Sequence, residues 1–333
     1  MDSDSFWRGR RVLATGAGGF IGSHLVELLV RDGAEVRAFV RYNSRNDHGL
    51  IERLPGDVRD AVEVFVGDIA NPEAVIDAVT RMDTVLHLAA LIPIPYSYRH
   101  PREFVTANLV GTMNVLEAAR RQEIRRLVQV STSEVYGTAQ NVPIREDHRL
   151  HPQSPYAATK VGSDQLALSY QRSFGLPVVL ARPFNTFGPR QSARAVIPAV
   201  ISQALTRDVI ELGATSPTRD FTYVSDTAAG LARCAEVEGA VGDVINLGTG
   251  VETSIGEVVE RVLGILGKEV PVRTDEARIR PPESEVERLV ADVTLAKQLL
   301  GWQASVSLQE GLELTVAEVA ASIETFKPTI YNV

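Results

Sequence analysis

Thr15-Gly16-Ala17-Gly18-Gly19-Phe20-Ile21-Gly22 decides how the rest of this 333-residue chain is read. The run before it, Arg11–Thr15, is short and apolar and reads as a strand. The stretch after it, Phe20 to Arg31, carries apolar residues at helical spacing. Glycines between a strand and a helix each have a use. Gly16 suits a tight turn, Gly19 the approach of backbone to a pyrophosphate, and Gly22 close packing of helix on strand. The phosphates would meet unpaired N–H groups at the helix N-terminus, beside Phe20 and Ile21. A dinucleotide site is the first functional expectation.

Further along, Glu35–Val40, Val62–Val66, Thr84–Leu88, Leu127–Val130 and Pro177–Ala181 read as strands. Helices are expected near Glu103–Gln122 and over Pro155–Phe174. This alternation, with nearly continuous apolar strands, predicts a parallel sheet covered on both faces. Right-handed crossovers make the sheet doubly wound, with its ligand crevice at the carboxyl ends of the strands. After Arg182, Gly and Pro become frequent, and shorter helices (Ile197–Thr206, Ile255–Leu266, Leu308–Ala321) mix with short strands. The expected fold class is α/β, a doubly wound parallel sheet with a smaller mixed C-terminal substrate domain. Chain returns to the sheet near Ser225–Val237 and Asp243–Leu247. Residues 1–182, with about 222–250, are assigned to the dinucleotide domain. Residues 183–221 and 251–325 are assigned to the second domain, and 326–333 to a docked or frayed tail.

The net charge of −8, with Lys and Arg scattered, argues against nucleic acid, which needs a basic stripe. One cysteine, Cys234, excludes an internal disulfide and reads as core, and no Cys/His cluster has metal-ligand spacing. Met1 to Arg11 is polar, and no apolar run approaches the ~20 residues that span a bilayer. No membrane partner and a cytoplasmic location are the expectation.

The end of the second strand bears on the cofactor. Dinucleotide folds that take NAD place Asp or Glu there for the ribose hydroxyls, whereas Val40 stands here, followed by Arg41, Tyr42, Asn43, Ser44 and Arg45. A cation with nearby hydroxyls suits a 2′-phosphate, which favours NADP slightly; the alternative is NAD with Arg41 in a solvated loop. Asp68 and Ile69 are expected at the adenine edge, and Leu88, Ala89 and Ala90 beside the cofactor.

Tyr156 and Lys160 stand four apart at the start of a helix and share a face. A phenol near its ordinary pKa of ~10 is a poor base at neutral pH. An adjacent ammonium and a positive nicotinamide ring favour the phenolate. Upstream, the strand Leu127–Val130 runs into Ser131-Thr132-Ser133-Glu134-Val135-Tyr136-Gly137. A hydroxyl there would hold the oxygen that Tyr156 deprotonates.

Together, Thr15–Gly22, Asn108 in Asn-Leu-Val-Gly-Thr, Ser131–Gly137, Tyr156–Lys160, Arg182-Pro183-Phe184-Asn185, Pro217–Asp226 and Arg280–Arg288 resemble the extended short-chain dehydrogenases/reductases. More narrowly they are similar to the NAD-dependent nucleotide-sugar epimerases and dehydratases, over nearly the whole chain. The resemblance implies a Rossmann-type domain, a tightly bound and recycled NAD or NADP, a nucleotide-diphosphate sugar as partner, and a homodimer made through two helices per subunit. It adds Asn108 and Pro183 to the cofactor residues, Asn185, Arg219 and Arg280 to the sugar-diphosphate side, and Arg194 more weakly. Ser131–Ala139, Gln153–Tyr156 and Gly188–Arg194 look most like the 4,6-dehydratases of N-acetylhexosamine pathways, of the legionaminic-acid type, acting on UDP- or GDP-N-acetylglucosamine.

Such enzymes first oxidise C4 of the sugar, and the 4-keto group then acidifies the C5 proton. A dehydratase needs a base at C5 and an acid for the leaving C6 hydroxyl. Thr132, Ser133, Glu134, Tyr156 and Lys160 are the catalytic candidates. In glucose dehydratases an aspartate precedes the glutamate, and here Ser133 replaces it. Either Glu134 is both base and acid, or Ser133 relays a proton. UDP-glucuronate decarboxylase is the first alternative and nucleotide-sugar 4-epimerase the second, since epimerases generally carry a small or hydroxylated residue where Glu134 stands. A silent dinucleotide-binding regulator would be expected to lose Tyr156 or Lys160. His87 reads as structural, and the carboxylates of Ser284–Glu287 as a solvated face.

Overall fold

In the computed structural model, which describes residues 5–327, Arg11–Thr15 (β1) lies inside a seven-stranded sheet. Its Val12, Leu13 and Ala14 are fully buried, as a strand covered on both faces requires. The others are β2 (Glu35–Arg41), β3 (Glu63–Gly67), β4 (Thr84–His87), β5 (Arg126–Val130), β6 (Val178–Pro183) and the strand Val244–Leu247. All pairings are parallel, in the order β3, β2, β1, β4, β5, β6, Val244–Leu247. This is the Rossmann-type α/β fold. Its strand order reverses between β1 and β4, where connections leave to opposite sides and a crevice opens.

Each face of the sheet has its own core. Helix α1 (Phe20–Arg31) buries Leu25, Val26 and Leu29 on one face, with Leu231 and Ile245. Val75, Val79, Val115, Leu116 and Ala167 pack the other. Cys234 is buried within the first of these cores. A third core, with Ile197, Ile201, Val258, Val262 and Leu312, lies in the C-terminal half. There Thr218–Arg219 pairs antiparallel with Thr253–Ser254 and parallel with Arg288–Leu289, which brings Arg219 beside the chain that follows Arg280.

Three helices run where the sequence pattern puts them, because their ends are written in capping residues. Ser154, Ser254 and Ser307 accept the backbone N–H of Ala157, Glu257 and Glu310, and Gly175 and Gly267 end two of the helices in the left-handed conformation. The expected helix near Glu103–Gln122 differs. It divides into Pro101–Phe104, a π-helical turn Val105–Val110, and Gly111–Arg121. The Asn108 carbonyl explains the break: it accepts Thr112 Oγ1 at 2.5 Å and Ser163 Oγ at 2.7 Å, and these donors loosen the local ladder. The segment before it contains a short helix, Ile94–Arg99, that no periodicity announces.

Of the terminal reading, Phe326 is buried against the third core, and residues 328–333 lie outside the described residues, as do 1–4. Trp7 is buried and donates through Nε1 to Glu236 at 2.6 Å. Among the described residues, no helix is long and apolar enough to cross a membrane.

The glycine loop sets a testable limit. A Cβ on Gly22 would collide with the Gly16 carbonyl oxygen and come within 2.9 Å of the Ala17 Cα. Gly22→Ala is expected to destabilise the fold by about 1–3 kcal/mol in urea unfolding and to weaken dinucleotide binding.

Candidate active site

A cleft of about 1290 Å³ opens at the carboxyl ends of the central strands. Gly16, Gly19, Phe20, Ile21 and Gly22 line it from the loop after β1, and Arg41 from the end of β2. Asp68 and Ile69 enter after β3, and Leu88, Ala89 and Ala90 after β4. Thr132, Tyr156, Lys160 and Pro183 line the same space. The loop is a cradle that any side chain would fill. Gly16 has φ +72°, and a Cβ there would stand 2.8 Å from the Ala89 nitrogen. Such a space fits a dinucleotide, with the loop around its pyrophosphate. Arg45, Arg99 and Arg102 also line the cleft. Sequence reasoning missed the last two, because only the fold of the segment after β4 brings them there.

Asn108 stands behind this wall. Its Oδ1 accepts the Leu91 N–H at 2.7 Å, and its Nδ2 donates to the Leu91 carbonyl and to Thr159 Oγ1, both at 3.0 Å. It thereby ties the chain after β4 to the Tyr156 helix. His87 is structural, as expected. Its Nδ1 meets Thr15 Oγ1 at 2.7 Å and its Nε2 meets Thr112 Oγ1 at 3.1 Å. Burial first, then the charge of Lys160, hold its pKa down at about 3.

Tyr156 and Lys160 project from the first turns of Pro155–Phe174, a helix entered through proline and the Ser154 cap. Burial pushes the Tyr156 phenol well above its ordinary value. A hydrogen bond with Thr132 opposes this, and the charges of Glu134 and Asp164 add to it. Lys160 donates to the Val130 carbonyl at 2.7 Å, and burial lowers it to about 8 while Asp164 pulls it up. Below Lys160 lies a buried network that sequence reasoning did not find. Asp164 Oδ2 accepts Ser131 Oγ at 2.8 Å and Arg182 Nη2 at 3.0 Å. Arg182 Nη1 donates to Tyr136 OH at 2.9 Å, and Tyr136 OH donates to Asn246 Oδ1 at 2.7 Å.

Glu134 follows Thr132, whose hydroxyl accepts its backbone N–H at 3.2 Å. Its charge acts on the Tyr156 phenol and on the Arg219 guanidinium. Ser133 is buried beside it. Arg219 and Arg280 converge on one carboxylate: Glu285 Oε1 lies 3.5 Å from the former and 3.6 Å from the latter. Burial lowers the Arg219 pKa, Glu134 and Glu285 support its charge, and Arg280 opposes it. The solvated-face reading of Glu285 is thus corrected, whereas Glu287 is exposed. Asn185 carries a buried amide oxygen without a partner. Its backbone donates to the Asp220 carbonyl at 3.0 Å, next to Arg219.

Asp220, also missed, fixes this corner. Its carboxylate accepts the backbone N–H groups of Thr249, Gly250 and Ala291. Arg194 is exposed on the loop before Val196–Thr206 and does not line the cleft, and Arg190 turns to Glu27 and Ser23 of α1. A latch joins the two halves. Gln153 Nε2 donates to the carbonyls of Glu283 and Glu285 at 2.9 and 3.0 Å. Ser284 Oγ donates to the Gln153 carbonyl at 2.5 Å and lies 2.6 Å from Tyr98 OH.

A glycine cradle at a strand-order reversal with a buried Tyr–Lys pair beside it is the arrangement of a dinucleotide-dependent enzyme. Residues 13–315 match the family model of GDP-mannose 4,6 dehydratase. A dTDP-glucose 4,6-dehydratase of Actinoplanes is 35% identical, the match covering 92% of this chain and 97% of that one. A UDP-glucose 4-epimerase of Mycolicibacterium smegmatis is 36% identical with the same coverage. The solved UDP-glucuronic acid 4-epimerase of Bacillus cereus, in complex with UDP-glucuronic acid and NAD, superposes with a TM-score of 0.84 at 28% identity, over 94% of this chain and 99% of that one. The chain belongs to the NAD-dependent epimerase/dehydratase family of nucleotide-sugar enzymes, within the short-chain dehydrogenases/reductases.

Tyr156→Phe keeps the buried ring and removes one oxygen. Turnover is expected to fall about 10²–10⁴-fold, with dinucleotide affinity by fluorescence titration essentially unchanged.

Proposed function

We propose that the protein is a nucleotide-sugar 4,6-dehydratase acting on UDP- or GDP-N-acetylglucosamine. The observation that carries this reading is Glu134, a carboxylate two residues past Thr132 whose charge acts on both the Tyr156 phenol and the Arg219 guanidinium. The cofactor, when bound, supplies a reversible hydride acceptor. Tyr156, oriented by Thr132 and supported by Lys160, takes the proton of the C4 hydroxyl. Glu134 removes the C5 proton and returns it to the departing C6 hydroxyl, since Ser133 is no comparable acid. Arg219, Arg280 and Asn185 hold the diphosphate sugar, where planar guanidinium donors suit oxyanions.

The relatives named as epimerases keep a second reading in view, and the substitution of Ser133 for an acid favours it. Incubation with UDP-N-acetylglucosamine, GDP-N-acetylglucosamine and UDP-glucuronate in turn, followed by mass spectrometry, separates the readings. Loss of water is expected from an N-acetylglucosamine donor. Loss of carbon dioxide from the glucuronate would make the protein a decarboxylase, and an isomer of unchanged mass would make it an epimerase. Glu134→Gln is expected to abolish the loss of water, and a wild-type rate in that variant would overturn the reading.

Arg41 ends β2 with no carboxylate at its tip and shares the cleft with Arg45, Arg99 and Arg102, which supports NADP in addition to NAD. Arg41→Ala is expected to weaken NADP binding about tenfold, the loss of one charge-assisted hydrogen bond, and to leave NAD binding unchanged by calorimetry. A homodimer through the helices Gly111–Arg121 and Pro155–Phe174 accords with Val105, Val110, Met113 and Phe174, which are exposed on these helices and the turn preceding them.

A further inference from the structure

Lys160 sits in a place that disfavours its charge. It is 4% exposed, and among the described residues its ammonium has one hydrogen-bond acceptor, the Val130 carbonyl. Two further N–H donors remain on that group. One helical turn along the same face lies Asp164, 0% exposed, its Oδ2 occupied by Ser131 and Arg182 and its Oδ1 buried without a hydrogen-bond partner. The remaining groups around Lys160 do not offset its charge. His87 from β4 is held neutral, Arg182 from β6 is a second cation, and Tyr156 shares its helix. The charge of Glu134 acts on Tyr156 and Arg219. One buried carboxylate therefore serves two buried cations.

We propose that Asp164 is a positioning residue for the reacting pair: it keeps Lys160 in the ammonium form, and Arg182 and Ser131 hold the carboxylate in place for that task. Burial pushes the Asp164 carboxyl above its ordinary value, and Arg182, Lys160 and the Ser131 hydroxyl act against that rise. Its removal leaves Lys160 with burial and no compensating charge, so the ammonium is lost at lower pH. Tyr156 then loses the cation that favours its phenolate. The Asp164 charge also opposes that phenolate directly, but from two helical turns away against one for Lys160, so loss of the cation outweighs relief of the repulsion. Asp164 touches no substrate; it acts through Lys160. The inference rests on the Tyr–Lys chemistry of the proposed reaction but not on which sugar is turned over.

The test is a titration of the Tyr156 phenolate by ultraviolet difference absorbance in the NAD complex, with Tyr156→Phe as the blank. In Asp164→Asn the midpoint is expected to rise by about one pH unit, toward that of Lys160→Met. Equal midpoints in wild type and Asp164→Asn would overturn the proposal. Should Asp164→Asn fail to fold because Arg182 is left unpaired, Asp164→Glu carries the test. Retained charge is expected to keep the wild-type midpoint, and a full-unit rise would overturn the role of charge. No substrate is used. A protein that titrates as expected but dehydrates no sugar refutes the reaction assignment and leaves the role of Asp164 standing.

Discussion

The structure depends on how closely backbone approaches backbone between β1 and β4. Gly16 turns with positive φ against the Ala89 amide, and Gly22 seats the first turn of α1 on the Gly16 carbonyl. No side chain fits at either point, so the loop stays thin and the helix N-terminus stays open. The space this leaves at the strand-order reversal is the cleft itself. Arg41, Asp68, Thr132, Tyr156 and Lys160 all arrive on segments that end around it.

A second constraint is polar and buried. From Asp164 the chain of hydrogen bonds runs through Arg182 and Tyr136 to Asn246, whose Nδ2 reaches the Ile144 carbonyl. It joins the Tyr156 helix, β5, β6 and the strand Val244–Leu247. Such a network is costly if half satisfied and rigid if nearly complete. Here it fixes the spacing between the reacting helix and the sheet edge. Asp220 does the same for the second half by accepting three backbone N–H groups around Arg219.

What the sequence made legible was whatever is local. The glycine loop, the Ser154, Ser254 and Ser307 caps, and the apolar periodicity of the helices each state their own conformation. The Tyr156–Lys160 spacing does likewise. Residues whose role comes from distant neighbours were not legible. Asp164 looks like an ordinary helix-surface carboxylate until β5 and β6 bury it, and Glu285 looks solvated until two arginines from separate segments meet it. The π-helical turn at Val105–Val110 is invisible for the same reason, since Ser163, one of the donors that loosen it, belongs to another helix.

The Gln153–Ser284–Tyr98 latch has a kinetic meaning. It joins the segment that brings Arg99 and Arg102 to the cofactor cleft with the loop that carries Glu285, so the chain closes into a ring beside Arg219 and Arg280. Opening that ring breaks several hydrogen bonds at once, each worth about 0.5–1.5 kcal/mol net. Three such bonds slow escape by roughly a hundredfold relative to an unlatched site. For the reaction proposed above, the residence time of an intermediate inside the ring is then set by a glutamine, a serine and a tyrosine that stand outside the chemistry.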